Sequence, residues 1–179
     1  MNIVIKPYGR NLCYCRPDTT WEKESRDFYV PEGVEKILWT PVVFARICKA
    51  GKCVSEKFVT RYYDSFSIGA LLYCNDDELA FSSCADHTSI LPMPLFDPVV
   101  LENIGNTYHI GKCTNSMEGI KETLEDAICD ASRRVSLRIG DLVAVELESM
   151  KVLAEKAEGE TRFKGEFCEN ILFDFKVIF

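Results

Sequence analysis

The chain alternates between apolar runs and polar breaks on a scale that suits strands more often than helices. Trp39 to Cys48 is almost continuously apolar and rich in Val, which predicts a strand buried on both faces. Ala50-Gly51-Lys52 follows as a turn. Ser55 then opens a helix with Glu56 in its first turn and Phe58, Val59 and Tyr62 on its apolar side. Ser65 to Tyr73 reads as a second strand, ended by Asn75-Asp76-Asp77. Residues 80 to 98 hold Pro92, Pro94 and Pro98 and read as loop.

Val99–Glu102 and Thr107–Ile110 flank Gly105-Asn106, a pattern that predicts a hairpin. Ile120, Leu124, Ala127, Ile128 and Ala131 recur at helical spacing and mark one face of a helix between Thr114 and Arg133. Gly140-Asp141 turns into a strand from Leu142 to Leu147. At the end, Ile171, Phe173, Phe175, Val177 and Phe179 alternate strictly, so a final strand carries one strongly apolar face. The stretch from Pro7 to Gly33 is polar and broken by Pro17 and Pro31, which suits loops and short strands. The sum is an α+β, sheet-dominated domain.

Composition narrows the function classes. With 179 residues, 47% of them hydrophobic and 27% charged, the chain reads as one folded domain over 1–179. The formal net charge is -7 and no basic stripe is present, which argues against a nucleic-acid partner. No export signal and no apolar run long enough to span a bilayer stand out, so a cytoplasmic protein without membrane association is expected. Nine cysteines, odd in number and irregular in spacing, suit buried free thiols better than a disulfide framework.

Candidate chemistry is sparse. Cys13-Tyr14-Cys15 has one intervening residue, too few for a zinc pair, and His109 with Cys113 does not complete a second pair. Asp76-Asp77-Glu78 is an acidic run that suits a solvated strand end. His87, in Asp86-His87-Thr88, could serve as an oriented base but also suits a turn. No phosphate-cradling glycine motif occurs.

Several segments, in order, resemble the fumarylacetoacetate-hydrolase-like family of acylpyruvate hydrolases, oxaloacetate decarboxylases and isomerases. These are Arg16-Pro17-Asp18-Thr19, Arg46-Ile47 through Gly51-Lys52, Arg61-Tyr62-Tyr63-Asp64 with the strand to Gly69, Gly111 to Met117, and Ser132 to Asp141 ending Ser136-Leu137-Arg138-Ile139-Gly140-Asp141. The resemblance implies a mixed β-sandwich roll, a homodimer or a heteromer with an active relative, and a Mg²⁺ or Mn²⁺ ion held by a Glu-x-Glu pair and an Asp.

At the positions matching those three carboxylates this chain has Thr40, Val42 and Leu71. From Leu38 to Ala50 there is no Asp or Glu, so no register shift restores the pair. The family's active-site lysine falls near Ser83, its Gly-Thr-Pro loop falls on Glu146-Leu147-Glu148, and its N-terminal lid, here about residues 1–15, is shortened. The positions matching the family site are Arg16, Thr40, Val42, Leu71, Tyr73, Ser83, Asp86 and Thr114. The resemblance therefore implies a relative without metal, cofactor or catalytic residues, free to bind a small ligand or pair with a partner. The alternative is a Mg²⁺-dependent enzyme on a 2-keto acid or acylpyruvate that recruits Asp76, Asp77 or Asp86.

Overall fold

The computed structural model describes residues 1–74, 79–103 and 105–179. In chain order the elements are β1 (Asn2–Lys6), β2 (Tyr14–Pro17), β3 (Trp21–Glu22), β4 (Phe28–Tyr29), β5 (Lys36–Ile47) and β6 (Tyr63–Cys74). Then come α1 (Leu79–Ser82), β7 (Ser89–Ile90), β8 (Thr107–Ile110), β9 (Cys113–Ser116) and α2 (Ile120–Arg134). The last are β10 (Leu142–Glu146), β11 (Lys151–Glu155), β12 (Glu160–Phe167) and β13 (Asn170–Ile178).

Among the described residues the strands form two sheets. The larger runs β2-β1-β10-β5-β6-β7-β3, with β11 also paired to β5. The smaller runs β4-β13-β12-β8-β9. Parallel pairs (β1 with β10, β3 with β7, β4 with β13) sit beside antiparallel ones, which makes both sheets mixed, as expected.

Strand β5 organises both cores through its period of two. Ile37, Trp39, Val43, Ala45 and Ile47 join the core shared with the second sheet and α2. Leu38, Val42 and Phe44 point the other way, into a separate cluster with Ile3, Ile5, Leu71 and Leu91. That second cluster is the interior of the curled larger sheet. Between the sheets, Trp39 meets Phe163 edge-on at 4.9 Å, and within the smaller sheet Phe163 meets Phe173 at 5.2 Å.

The curl nearly closes because β2 and β3, at opposite ends of the strand order, are joined by a single 3₁₀ turn, Asp18–Thr20. The Thr20 hydroxyl bonds Ser89 Oγ at 2.9 Å, and Trp21 Nε1 donates to the Leu91 carbonyl. At the start of β10, the buried Asp141 accepts from the backbone N–H of Asn2 and of Arg138, both at 2.8 Å. The Gly140-Asp141 segment thereby fastens β1 into its parallel pairing.

The five residues expected on the apolar face of α2 are all buried. Elsewhere the structure departs from expectation. The segment after Ser55 is a 3₁₀ helix, Glu56–Arg61, in which Val59 alone is buried. Residues 99–102 lie in another 3₁₀ helix, Pro98–Glu102, because Asp97 caps it and Pro98 presets its first turn. The hairpin forms one element later, between β8 and β9, where Gly111 supplies the positive φ of +57°. In β13, Phe173, Phe175 and Val177 face inward, but Ile171 is 60% exposed. Gly165 lies opposite Phe173 and Glu166 opposite Ile171, which leaves Leu172 as an extra bulged residue that flips the alternation. Of the nine cysteines, only Cys74 and Cys129 are buried, and Cys15, Cys53 and Cys84 are exposed. Asn75 to Glu78, including the acidic run, lie outside the described residues.

Candidate functional site: the mouth of the curled sheet

Residues from both ends of the chain meet where the ladder beside β5 breaks. Glu146 in β10 pairs with Val42, and Lys151 in β11 pairs with Trp39, so residues 147–150 on one side answer only Thr40 and Pro41 on the other. The break falls at Pro41. Leu147 N–H donates to the Pro41 carbonyl at 2.9 Å, but Pro41 has no N–H to return. Residues 147–150 bow away from β5. The Thr40 hydroxyl fills part of the gap by donating to the Glu148 carbonyl at 2.7 Å.

The bowed segment opens a recess of about 180 Å³, lined by Pro7, Tyr8, Arg10, Tyr14, Tyr73, Glu146, Ser149 and Met150. One wall comes from the turn Pro7-Tyr8-Gly9-Arg10. Arg10 N–H closes back on the Pro7 carbonyl, and Gly9 takes the positive φ of +64° that the third residue of such a turn requires. The buried Glu146 pins this turn by accepting from Tyr8 N–H at 2.9 Å. Its other oxygen accepts from the Tyr73 hydroxyl, and Tyr73 Oη lies 2.7 Å from Tyr14 Oη. Burial, first of all, pushes the Tyr73 phenol well above the ordinary range, with Tyr14 and Glu146 adding to it and Arg16 opposing.

Behind Tyr73 lies Arg16, only 1% exposed. Its guanidinium sits 4.6 Å from the Tyr73 ring centroid. It donates to the carbonyls of Leu72 and Thr88 and to Thr88 Oγ1, at 3.1–3.3 Å. Arg16 thereby spans from β2 to the opposite side of the curl.

The eight positions matching the family site divide into two groups. Arg16, Thr40, Val42, Leu71 and Tyr73 gather on the interior face of the curl, with Thr40 directly opposite Leu71 and Leu38 opposite Tyr73. The other three lie elsewhere. Ser83 is half-buried just after α1, and it is Ser82 that is buried there, bonded to the backbone of Cys74. Asp86 is exposed in a groove with His87 and Tyr29. Thr114 is exposed on the second sheet and bonds His109 Nδ1 at 2.8 Å.

His87 is not oriented by its neighbour Asp86. It adopts φ +58°, and its Nδ1 lies 3.0 Å from the buried Glu22. Cys113 Sγ accepts from Lys151 Nζ.

The interior does not fit a divalent cation. Thr40, Val42 and Leu71 are each 0% exposed, two of them have no donor atom, and the Thr40 hydroxyl is committed to Glu148. Among the described residues no group of three His, Cys, Asp or Glu side chains could hold a metal. Tyr8, Arg10 and Tyr14 were not anticipated from the sequence. The Pro-Tyr-Gly-Arg turn after an apolar strand was the local signal for the first two. Among the described residues, no helix is long and apolar enough to cross a membrane.

By sequence, the chain matches no family profile and no curated protein. By structure, it is similar to fumarylpyruvate hydrolase from Pseudomonas aeruginosa, solved with Mn²⁺ and pyruvate: TM-score 0.76, 12% identity, 99% of this chain and 88% of that one. Maleylpyruvate hydrolase from Sphingobium sp. SYK-6 aligns with TM-score 0.75 and 12% identity over 99% of this chain and 70% of that one. A protein provisionally assigned to the fumarylacetoacetate hydrolase family from Yersinia pestis CO92 aligns with TM-score 0.78 and 12% identity over 99% and 92%. These likenesses, at such low identity, establish architecture: the chain has the fold of the fumarylacetoacetate hydrolase family.

Proposed function

We propose that this chain is a non-catalytic form of the fumarylacetoacetate hydrolase fold that binds a small ligand at the mouth of its curled sheet. One observation carries the reading. The positions matching the metal-binding carboxylates, Thr40, Val42 and Leu71, are fully buried side by side, with Val42 and Leu71 among Ile3, Ile5 and Phe44. A cation gives up its water only for charged oxygens that offset the loss, and aliphatic carbons offer none. The recess lined by Glu146, Tyr73, Tyr14 and Arg10 is what the fold keeps open at that end.

The test is turnover of acetylpyruvate and oxaloacetate with Mg²⁺ or Mn²⁺, alongside thermal unfolding with each metal. The expected result is no turnover and no metal-dependent rise in Tm. Metal-dependent turnover that disappears when Asp76, Asp77 or Asp86 is changed to Asn would overturn the reading in favour of an enzyme with a rearranged site.

A further inference from the structure

We infer that the mouth recess binds a compact amino-acid-like zwitterion, its ammonium at Glu146 and its carboxylate at Arg10; this rests on the binding reading above and supplies the ligand class.

The proton inventory of the recess decides what its floor accepts. Tyr73 has one hydroxyl proton and donates it to Glu146 Oε1. The 2.7 Å contact between the two phenols is therefore a bond from Tyr14 to Tyr73. Tyr14 has then spent its own proton, and its oxygen is left with lone pairs. Glu146 accepts from Tyr8 N–H and Tyr73 O–H and donates nothing. Carboxylate and phenol oxygens in this relay offer acceptors and no donor, beside aromatic walls that favour a cation. A primary ammonium matches that floor because it brings N–H donors. A quaternary ammonium brings charge without donors and matches it less well.

The rim has the opposite sign. Arg10 lines the same recess, is exposed, and makes no ion pair among the described residues. A lone amine would meet its repulsion, and a lone carboxylate would meet that of Glu146. A molecule carrying both charges satisfies both ends. The volume, about 180 Å³, lies well below the ~300–1,000 Å³ of sites for larger ligands, which restricts the occupant to a few heavy atoms.

The experiment is calorimetric titration of the intact chain with glycine, L-alanine, β-alanine and 4-aminobutyrate, a series of increasing charge separation. Ethylamine, propionate, pyruvate and glycine betaine are the comparison compounds. At least one amino acid is expected to bind ten-fold or more tightly than every comparison compound. Arg10→Ala, a surface change, and Glu146→Gln should each weaken it ten-fold or more. Ethylamine binding as tightly, with Arg10→Ala silent, would overturn the zwitterion assignment while leaving a binding site in place. No binding by any amino acid would overturn it as well. Tighter binding of pyruvate, accompanied by metal-dependent turnover, would overturn the non-catalytic reading itself.

Discussion

The guanidinium of Arg16 stacks over the ring of Tyr73, 4.6 Å from its centroid, on the interior side of the larger sheet. Among the described residues Arg16 has no carboxylate partner there, and its Nε lacks a hydrogen-bond partner. The carbonyls of Leu72 and Thr88 and the Tyr73 ring stabilise it. Arg16→Met removes the fork and its bonds to the Leu72 carbonyl, while the Thr88 carbonyl keeps the Leu72 N–H, at a cost of about 3 kcal/mol in total. Tyr73→Phe keeps the ring but removes the donor to Glu146 Oε1, leaving only Tyr8 N–H on the other oxygen, costing about 1–2 kcal/mol. Urea unfolding of both variants, with comparable slopes, measures the difference.

Gly69 of β6 lies against the backbone of β7 with no room for a side chain. A Cβ placed there would stand 2.3 Å from the carbonyl oxygen of Ile90, a backbone atom that cannot swing aside. Gly69→Ala should therefore push β7 outward and destabilise the fold by about 1–3 kcal/mol, read as a lowered Tm. An unchanged Tm would show that β7 is free to move.

Much of this architecture was legible in the sequence, and the reasons differ by element. The length and double-sided burial of β5 follow from its unbroken apolar run, and α2 follows from five residues at helical spacing. Strand β12 was not read, because its buried aromatics, Phe163 and Phe167, stand four apart and mimic a helix. Between them Gly165 occupies an inward position without a side chain, and the ring of Phe173 fills it: a Cβ there would lie 2.4 Å from that ring. The exposed Ile171 was misplaced because a bulge has no local hydrophobic signature. The mouth site is still less local. Tyr8 and Glu146 are 138 positions apart and meet through the pairing of β1 with β10, which no short window of sequence contains.

The turn joining β12 to β13 holds Cys168 at φ +48° and Glu169 at φ +63°, both left-handed and neither glycine. Consecutive residues in this region form the tight hairpin turn for which Asn-Gly is the preferred pair. The double substitution Cys168→Asn and Glu169→Gly should relieve Cβ crowding and stabilise the protein by about 1 kcal/mol. Differential scanning calorimetry would register this as a Tm higher by about 2–4 °C for a chain of this size.

The acid limb of stability should depend on two pairs. Two hydrogen bonds from Arg162 hold the Asp174 carboxyl below its usual value of 3.8. Burial alone would raise Asp64, but hydrogen bonds from Arg46 and Ser65 outweigh it and bring it below 3.8 as well. A carboxyl depressed in the folded state contributes stability above its unfolded value, and that contribution fades as pH falls through the folded value. Between roughly pH 4 and pH 2 the unfolding free energy should drop, and the Asp64→Asn, Asp174→Asn double variant should show a shallower drop. Equal slopes in urea titrations across that range would count against both assignments.

The parallel pairing of β1 with β10 also bears on how the chain is made. Ile3, Val4 and Ile5 leave the ribosome long before their partners Leu142, Val143 and Ala144, which lie far downstream in the chain. Until then the apolar strand has only β2 to pair with and one edge stays open, a situation that slows acquisition of native structure and invites mispairing with other chains. Synthesis halted before Leu142 would leave a polypeptide that chaperones must hold, whereas release shortly beyond Glu146 would let the first strand dock.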